Sequence, residues 1–450
     1  MFLDGTIYAT LSRNLAFGSG TFWQPHFTDT LFPAFVEHPP LALGLEAVLF
    51  RIFGDSRFVE KIYSLLTIIL TAILIVSIWK QILKETKTGW LPLLFWIAMP
   101  SVNWASVNNM LENTLIIFIC LSVLFYIKSL QSKRLLYLFL AGSMLSLGFL
   151  TKGFVTFTPL AFPFFFWIFF RKNKFSSMVL DSVLILSSSL LPLILLYLFT
   201  GAREFLPQYM EFASRKISTG ETADSRFYII YRLVMELLPA FVIILVFILY
   251  SWKKMLSFNK ISSGLRPASA FFSLGLAGVL PILLTMDQST YFLLLSLPFF
   301  AISLGLLVNP SVEILLERIN YNSKGYRLFK LFGITTLSAG IILSVYFSGD
   351  FNRDENKLKD MRVILEQLEE NSSVNILPVM NDDWSLYAYY ARYKNISLDP
   401  DLNNRHDYLL VRTSLYSDTL NIRFEKIDLK TVEYDLFRRI DKGISKEKIH

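Results

Sequence analysis

The sequence predicts an α-helical polytopic membrane protein with a small α/β domain at its C-terminus. Of the 450 residues, 53% are hydrophobic and only 18% are charged, whereas soluble globular chains average about 25% charged residues. Apolar runs of roughly 17–25 residues, the length that crosses a bilayer, recur along the chain. From Gly349 onward the sequence becomes polar and mixed in charge, which indicates a separate domain in water.

The N-terminal region, residues 1–61, contains no run long enough to cross. The stretch "DGTIYATLSRNLAFGSG" predicts a short amphipathic helix that ends at Gly18 and Gly20. The stretch "PLALGLEAVLFRIFG" follows a proline and ends at a glycine. At about 14 residues it is too short to cross, and it predicts an interfacial helix. We expect the two helices to lie over the membrane domain.

Ten apolar segments are predicted to cross the membrane. They cover residues 62–79, 90–107, 113–127, 135–150, 154–170, 179–199, 230–250, 270–286, 291–308 and 328–347. Loops after the odd-numbered segments are rich in Lys and Arg, as in "KQILKETK", and are therefore expected on the cytoplasmic side. The N-terminal region and the C-terminal domain then share the outer face. Because no signal peptide opens the chain, we expect a further membrane helix upstream of Met1.

Residues 348–450 are predicted to form the outer α/β domain, after a membrane domain of residues 62–347. "DENKLKDMRVILEQLEEN" and "DWSLYAYYARYKN" predict helices, whereas "VNILPV" and "YLLVRTSL" are typical of strands. Cys120 is the only cysteine, which excludes an internal disulfide and argues against a cysteine metal site. The net charge of +7 is spread over short loops, a pattern that argues against a nucleic-acid partner.

Several ionisable and aromatic residues fall at the outer ends of the predicted spans. They are Asp4, Tyr8, Glu37, His38, Glu112, Lys152, Arg215, Lys216 and Tyr291. Carboxylates near a bilayer surface, with cations beside them, can hold an anionic lipid head group and activate a hydroxyl. Each residue also has a simpler interpretation as a helix-end lysine that reaches the interface, a loop charge, a polar helix terminus, or a turn before the prolines of "EHPP".

The order of these motifs resembles that of the GT-C superfamily of membrane glycosyltransferases, of the protein O-mannosyltransferase and aminoarabinose transferase type. The shared motifs read "DG" with Tyr8 after it, "FWQP", "VEHPPL", "LFRIFG", "MLENTL", "FLTKGF" and "YFLLLSLP". They extend from residue 1 to about residue 310, and "EHPPL" together with "LTKG" is the most specific part. Gly5 stands where the family usually has a second acid, and His38 where relatives commonly carry lysine. Asp287 and Gln288 precede Tyr291 where a basic residue is frequent.

The resemblance implies a GT-C-like fold and inverting transfer of a hexosyl or pentosyl group from a polyprenyl-phosphate donor. The acceptor would be a hydroxyl of a lipid, glycan or protein on the extracytoplasmic face of a bacterial inner membrane, as in lipopolysaccharide or protein glycosylation. Asp4 and Glu112 would be the catalytic carboxylates. The substrate-binding residues would be Tyr8, Glu37, His38, Lys152, Arg215, Lys216 and Tyr291. Glu37 and His38 would also be the place for a divalent cation.

Two other function classes stay open. A transporter or flippase for a lipid-linked glycan also needs many spans and an anionic-lipid site. Transporters tend to carry polar residues at mid-membrane, whereas here they gather at one face, which favours the enzyme. A non-catalytic envelope scaffold is the third class, and it should tolerate Asp4→Asn. For the enzyme, we expect Pro39 and Pro40 to begin the second surface helix and to hold Glu37 and His38 over the lipid head group.

Overall fold

The chain forms two compact units in the computed structural model. The model describes residues 2–84, 87–171, 173–253, 258–347, 353–415 and 423–440. The first unit consists of Met1–Pro25 and Phe35–Ile319, and the second of His26–Ala34 and Asn320–His450. The predicted start of the C-terminal domain, residue 348, lies outside the described residues. The last predicted span precedes it and belongs to the second unit.

The first unit is built from helices. In chain order its α-helices are α1 Leu3–Phe17, α2 Leu41–Phe53, α3 Val59–Leu83, α4 Trp90–Ala98, α5 Pro100–Ser106, α6 Leu111–Ser129, α7 Arg134–Lys152, α8 Phe162–Phe170, α9 Phe175–Phe199, α10 Ala202–Thr219, α11 Tyr228–Lys253, α12 Phe258–Val279 and α13 Leu297–Glu317. Between them lie the 3₁₀ helices Gly153–Ala161, Leu280–Leu284 and Thr290–Leu295.

Eight helical segments among the described residues are long and apolar enough to cross a membrane. They are Val59–Leu83, Leu111–Ser129, Arg134–Phe170, Phe175–Phe199, Tyr228–Phe247, Gly264–Leu284, Leu297–Glu317 and Lys324–Tyr346. The predicted segment 90–107 is not one of them. Its backbone becomes extended at Met99, with φ −80° and ψ 123°, which divides it into α4 and α5. Each of these two helices is shorter than a crossing.

The chain reverses direction inside the segment Arg134–Phe170. α7 ends at Lys152, and Gly153 has a left-handed backbone with φ of 75°. The hydroxyl of Thr156 then lies 3.5 Å from the carbonyl oxygen of Leu145, so the following 3₁₀ helix runs back along α7. This 3₁₀ helix and α8 together rise by roughly 31 Å, enough for a second crossing. The two segments predicted here, 135–150 and 154–170, are therefore distinct in direction.

Helices α6 and α13 form the centre of the first unit. In their membrane-spanning windows 72% and 67% of residues are buried, compared with 17% in α9. α6 packs against α3 and α7, and α13 packs against α4 and α12. This packing fixes the end of α6 that carries Glu112 and the end of α7 that carries Lys152.

Helices α1 and α2 pack against each other, and α1 is enclosed. Residues 5–14 of α1 are all buried, so this stretch has no exposed polar face, in contrast to the amphipathic pattern that the sequence predicted. Its polar side chains tolerate burial because they have hydrogen-bond partners. The hydroxyl of Thr10 donates to the carbonyl oxygen of Thr6 at 2.9 Å, and that of Ser12 donates to Glu46 at 2.8 Å.

Helix α2 agrees with the sequence prediction. It begins at Leu41, directly after Pro40, and ends at Gly54. One face buries Ala47 and Phe50 against α1. The other face exposes the large apolar side chains of Leu45, Val48, Ile52 and Phe53. Exposed apolar side chains on one face are typical of a helix that contacts lipid.

The second unit contains helix α14, Lys324–Tyr346, and a small α/β domain. The domain comprises α15 Glu355–Gln367, α16 Trp384–Lys394, β1 Ser373–Ile376, β2 Ser397–Asp399, β3 Tyr408–Arg412, β4 Phe424–Lys426 and β5 Tyr434–Arg439. The strand order is β2-β1-β3-β5-β4, with β1 parallel to β2 and β3 and the other pairs antiparallel. Both predicted helices and both predicted strands are confirmed, and β2, β4 and β5 are additional.

The segment His26–Ala34 belongs to the second unit, although both of its neighbours along the chain belong to the first. The hydroxyl of Thr30 donates to the carbonyl oxygen of Leu398 in β2 at 2.7 Å. The ring of Phe32 stacks on Trp384, the first residue of α16, with 5.8 Å between ring centres. Nine residues from the start of the chain therefore complete the C-terminal fold.

Candidate active site

The ends of four elements meet in the first unit and carry the predicted site residues. Asp4 lies in the first turn of α1, and Glu112 in the first turn of α6. Lys152 is the last residue of α7, and Tyr291 lies in the 3₁₀ helix Thr290–Leu295. α6 packs on α7 and on this 3₁₀ helix. Residues far apart in sequence therefore share one end of the helix bundle.

Lys152 and Glu112 form a buried ion pair. Nζ of Lys152 donates to Oε1 of Glu112, and the two side chains are 10% and 1% exposed. The same Nζ lies 5.4 Å from the ring centre of Tyr291 and 5.6 Å from that of Phe292. Because Lys152 points into the protein, the interpretation of a lysine that reaches the membrane interface does not apply.

One oxygen of Glu112 is left open. Oε2 is buried and has no hydrogen-bond partner among the described residues. Buried polar atoms in native proteins nearly always have a partner, so each exception needs an explanation. An open acceptor beside a buried ammonium is suited to a ligand that donates a hydroxyl.

Asp4 experiences both charges of this pair. Burial raises the pKa of the Asp4 carboxyl above its usual value; Lys152 lowers it, Glu112 raises it, and Lys216 lowers it more weakly. The net direction is upward. A carboxylate with a raised pKa is a better proton acceptor near neutral pH than an exposed one.

Gly5 leaves no room for the second acid that the family usually carries. A Cβ atom on Gly5 would lie 1.9 Å from the carbonyl oxygen of Asn108. The first turn of α1 is therefore in direct contact with the loop that precedes α6. This departure from the family pattern has a packing cause, and it brings Asp4 close to the α6 terminus.

The "EHPP" segment places Glu37 and His38 beside Tyr8. The rings of His38 and Tyr8 are in edge-to-face contact, with 5.9 Å between their centres. Burial lowers the pKa of His38 well below its usual value, and Lys152 and Lys216 lower it further. The imidazole is therefore neutral at neutral pH. Burial raises the pKa of the Glu37 carboxyl, an effect that Lys216 opposes.

Two adjacent cations in the last turns of α10 have different surroundings. Lys216 lies close enough to Asp4, Glu37 and His38 to lower all three pKa values. Nη2 of Arg215 instead pairs with Oε1 of Glu211 at 2.6 Å, and these side chains are 70% and 68% exposed. Of the residues singled out in the sequence, Arg215 is the one that the structure does not bring to the cluster.

Gly153 of the "LTKG" motif is required at the turn that presents Lys152. Its φ of 75° lies in the left-handed region that favours glycine. A Cβ atom there would also lie 1.7 Å from the hydroxyl oxygen of Tyr209 in α10. The glycine therefore allows both the chain reversal and the contact with α10.

Sequence reasoning missed the aromatic wall of the site. Trp104 of α5 stacks on Tyr291 with 6.2 Å between ring centres, and Phe2 packs edge-on against Trp104 at 5.1 Å. Glu236 accepts hydrogen bonds from the backbone N–H and the hydroxyl of Ser101, which anchors the start of α5. The available signal was the three asparagines of "NWASVNNM", which are unusual within an apolar region.

The described residues do not form a complete cluster of metal ligands. Among them, no group of three or more His, Cys, Asp or Glu side chains is placed to hold one. Zinc sites use three or four protein ligands, whereas Mg²⁺ can be held by one or two carboxylates together with waters and substrate phosphates. Glu37 and His38 supply two candidate ligands, so the divalent cation that the resemblance suggested stays a prediction.

Comparison with known proteins agrees with these features. Residues 37–199 match the family model described as dolichyl-phosphate-mannose-protein mannosyltransferase. Over 197 residues the chain is 26% identical to undecaprenyl phosphate-alpha-4-amino-4-deoxy-L-arabinose arabinosyl transferase 2 of Proteus mirabilis. This alignment covers 42% of the chain and 34% of the relative. The chain thus spans about a third of the length of the curated relative that it matches.

The fold is similar to that of two solved proteins. ArnT from Cupriavidus metallidurans, solved bound to undecaprenyl phosphate, matches with a TM-score of 0.63 and 13% identity, over 98% of this chain and 94% of that chain. The archaeal oligosaccharyltransferase AglB from Archaeoglobus fulgidus, solved with an inhibitory peptide and a dolichol-phosphate, matches with a TM-score of 0.50 and 12% identity, over 99% and 71%. The predicted resemblance is confirmed, and so is the predicted fold class of a helical membrane protein with a small C-terminal α/β domain; the predicted number of spans stays a prediction. The chain has the fold of a GT-C superfamily glycosyltransferase of the ArnT and protein mannosyltransferase type.

Proposed function

We propose that the chain is a membrane glycosyltransferase that moves a sugar, with inversion, from a polyprenyl-phosphate donor to an acceptor hydroxyl. The observation that carries the proposal is the grouping of Asp4, Glu112 and Lys152 at one end of the bundle. It combines a carboxylate of raised pKa, an open buried acceptor atom and a buried cation. The names of the relatives support the donor class, because ArnT and AglB were solved with undecaprenyl phosphate and dolichol-phosphate.

On the acceptor side, Asp4 acts as the general base. The acceptor oxygen attacks C1 of the sugar while its proton passes to the Asp4 carboxylate. The bond from C1 to the phosphate oxygen breaks on the opposite face of the sugar, and the phosphate leaves with the bonding electrons. Oε2 of Glu112 orients the hydroxyl before attack, because it is a buried acceptor without a hydrogen-bond partner among the described residues.

On the donor side, cations and neutral donors stabilise the departing phosphate. Fixed charges in a site with little water are worth more than the same charges in bulk solvent. The enclosed Lys152 supplies such a charge, the exposed Lys216 adds a weaker one, and neutral His38 supplies a hydrogen bond. Burial raises the pKa of Tyr8 and Tyr291 above its usual value, so both phenols stay protonated and can donate. This arrangement needs no resident metal, since the lysines supply the charge.

We place the site on the extracytoplasmic face of a bacterial inner membrane, because the lysine- and arginine-rich loops gather at the other ends of the spans. The acceptor is a hydroxyl of a lipid, glycan or protein of the envelope. A transporter fits less well, since transporters tend to hold their substrates at the bilayer midplane. The candidate residues here lie at helix ends.

The test uses the chain in membrane vesicles supplied with polyprenyl-phosphate sugars extracted from the native host. Consumption of the donor is compared between the wild type and Asp4→Asn, with Arg215→Gln as the control. We expect the asparagine variant to lose about 10²–10⁴-fold in rate, the usual contribution of general base catalysis, while the control keeps the wild-type rate. Equal consumption in wild type and Asp4→Asn would remove Asp4 from the mechanism. No consumption by folded wild type would overturn the proposed function.

A further inference from the structure

A buried carboxylate outside the proposed chemistry connects the elements that carry Asp4 and Glu112. Glu46 lies on the inner face of α2 and is 1% exposed. Its Oε2 accepts a hydrogen bond from the hydroxyl of Ser12 in α1 at 2.8 Å. Its Oε1 accepts one from Nδ2 of Asn109 at 2.9 Å. One side chain thus joins α1, α2 and the loop before α6.

Asn109 extends this connection to the residue next to Asp4. The same Nδ2 donates to the carbonyl oxygen of Gly5 at 3.3 Å. Asn109 has a left-handed backbone with φ of 50°, a conformation that asparagine tolerates better than most residues. Glu112 follows three residues later. The separation of Asp4 and Glu112 therefore depends on where Asn109 holds Gly5.

Asn108 makes a second hydrogen-bond contact with the start of α1. Its Oδ1 accepts from the backbone N–H of Phe2 at 2.6 Å, and its Nδ2 donates to the carbonyl oxygen of Trp104 at 2.7 Å. Asn108 thereby also holds the aromatic wall. Asn109 is the part of this loop that requires an acceptor on α2, and Glu46 provides it.

We infer that Glu46 is a positioning residue for the transfer reaction, which it serves by fixing Asp4 relative to Glu112 through Asn109. The inference rests on the proposed function. A buried carboxylate is costly to remove from water, and even whole buried ion pairs can often be replaced by apolar side chains without loss of stability. Packing of α1 on α2 alone would be met by apolar residues, as it is at Ala47 and Phe50. Catalysis places a stricter requirement on atomic positions than helix packing does, because a 1 Å misplacement of reacting groups can cost about 10²-fold in rate.

Two substitutions separate positioning from charge and from packing. In Glu46→Gln the amide oxygen can accept from Asn109 while the amide nitrogen donates to the Ser12 hydroxyl, so both connections persist without the charge. Glu46→Leu keeps a buried side chain of similar size and removes the acceptor that Asn109 has on α2. Ser12→Ala is the matched control, because it removes the hydrogen bond from Ser12 to Glu46 and leaves the one from Asn109.

Steady-state transfer is measured at a temperature at which every variant elutes as folded protein in size-exclusion chromatography. We expect Glu46→Leu to lower kcat by about 10²-fold, with the donor KM changed by less than about threefold. Glu46→Gln and Ser12→Ala should remain within about threefold of wild type on the same scale. Hydrogen–deuterium exchange of residues 2–10 and 105–115 should be faster in Glu46→Leu alone.

Several results would overturn the inference. They are a wild-type kcat in Glu46→Leu, a rise in KM at unchanged kcat, or a loss in Glu46→Gln as large as in Glu46→Leu. If the wild type itself transfers no sugar, the proposed function fails, and with it the catalytic use of Glu46. Hydrogen exchange then decides the structural part by itself. Unchanged exchange in Glu46→Leu would refute the connection, and faster exchange would support it.

Discussion

Removing the charge of Lys152 is expected to destabilise the protein, because it breaks a buried ion pair from one side. Lys152→Met keeps an unbranched side chain of similar length and leaves the Glu112 carboxylate buried with both oxygens unpaired. Breaking a buried ion pair from one side costs about 3–5 kcal/mol. With exposures of 10% for Lys152 and 1% for Glu112, this pair belongs to the buried class. We expect a loss in unfolding free energy of about 3 kcal/mol, together with loss of transfer.

The double variant Lys152→Met with Glu112→Leu tests the coupling. Replacing both members of a buried pair by apolar groups is often close to neutral. We therefore expect the double variant to be about 2–3 kcal/mol more stable than Lys152→Met alone, although it is equally inactive. Lys216→Met is the matched control, because Lys216 is exposed and makes no ion pair among the described residues. Its stability should equal that of the wild type.

The protein contains its own probe for this measurement. Cys120 is the only cysteine in the sequence and is fully buried in α6, the helix that carries Glu112. A thiol-specific fluorophore reacts with it only after α6 is exposed, so its reactivity across an SDS titration reports unfolding. Wild-type stability in Lys152→Met would refute the buried-pair argument. A double variant whose loss equals the sum of the two single losses would refute the coupling.

The remaining predictions concern pH, an exposed cation, a glycine and metal. Lys216→Gln should move the acidic limb of the pH profile of kcat/KM to higher pH, because Lys216 lowers the pKa of Asp4. Activity falls as pH drops through the pKa of a general base. A pH–rate profile that moves to lower pH would contradict this expectation. Arg215→Gln should leave transfer within about twofold, because exposed ion pairs contribute little, and a large loss in the vesicle assay would return Arg215 to the site. Gly153→Ala should lower both the thermal midpoint and the transfer rate, because its Cβ would meet the Tyr209 hydroxyl and its φ is left-handed. The additional change Tyr209→Phe should restore only part of the stability and rate. Full recovery would show that the backbone angle is not strained. Incubation with EDTA should leave transfer unchanged, whereas a loss that added Mg²⁺ reverses would show a required metal ion.

The sequence predicted the part of the site that depends only on the direction in which each helix runs. Asp4, Glu112 and Lys152 fall at corresponding ends of the predicted helices, so counting spans predicts that they share one end of the bundle. The structure places them together. The ion pair between Glu112 and Lys152 was not predicted, because span counting gives the height of a residue along the bundle and not its angle around each helix.

The same limit explains why the sequence did not show which of Arg215 and Lys216 reaches the cluster. Adjacent helical residues point about 100° apart, so only one of them faces the cluster, and the sequence "SRKIS" does not say which. The burial of α1 had a different cause. Ser12 has its partner at Glu46, 34 residues away, and Asn109 reaches Gly5 across 104 residues. A pattern of threonines and serines resembles an exposed face until such distant partners are known.

The short strands were not predicted for a third reason. β2 and β4 are three residues long, and a strand of that length shows no alternation that could be distinguished from a loop. Their existence depends on pairing with β1 and β5. The place of His26–Ala34 beside β2 could not be predicted for the same reason, because its partners there, such as Ser397 and Leu398, lie near the other end of the chain.

That segment has a consequence for synthesis. Thr30 precedes its partner Leu398 by 368 residues, and at 5–20 residues per second the ribosome needs roughly 20–70 s to reach that partner. During this interval the whole membrane domain is translated, and Glu37 and His38 already stand beside a segment whose contacts with β2 do not yet exist. A nascent chain released before residue 398 therefore contains every candidate active-site residue, while the stretch just before "EHPP" lacks its hydrogen bond to Leu398.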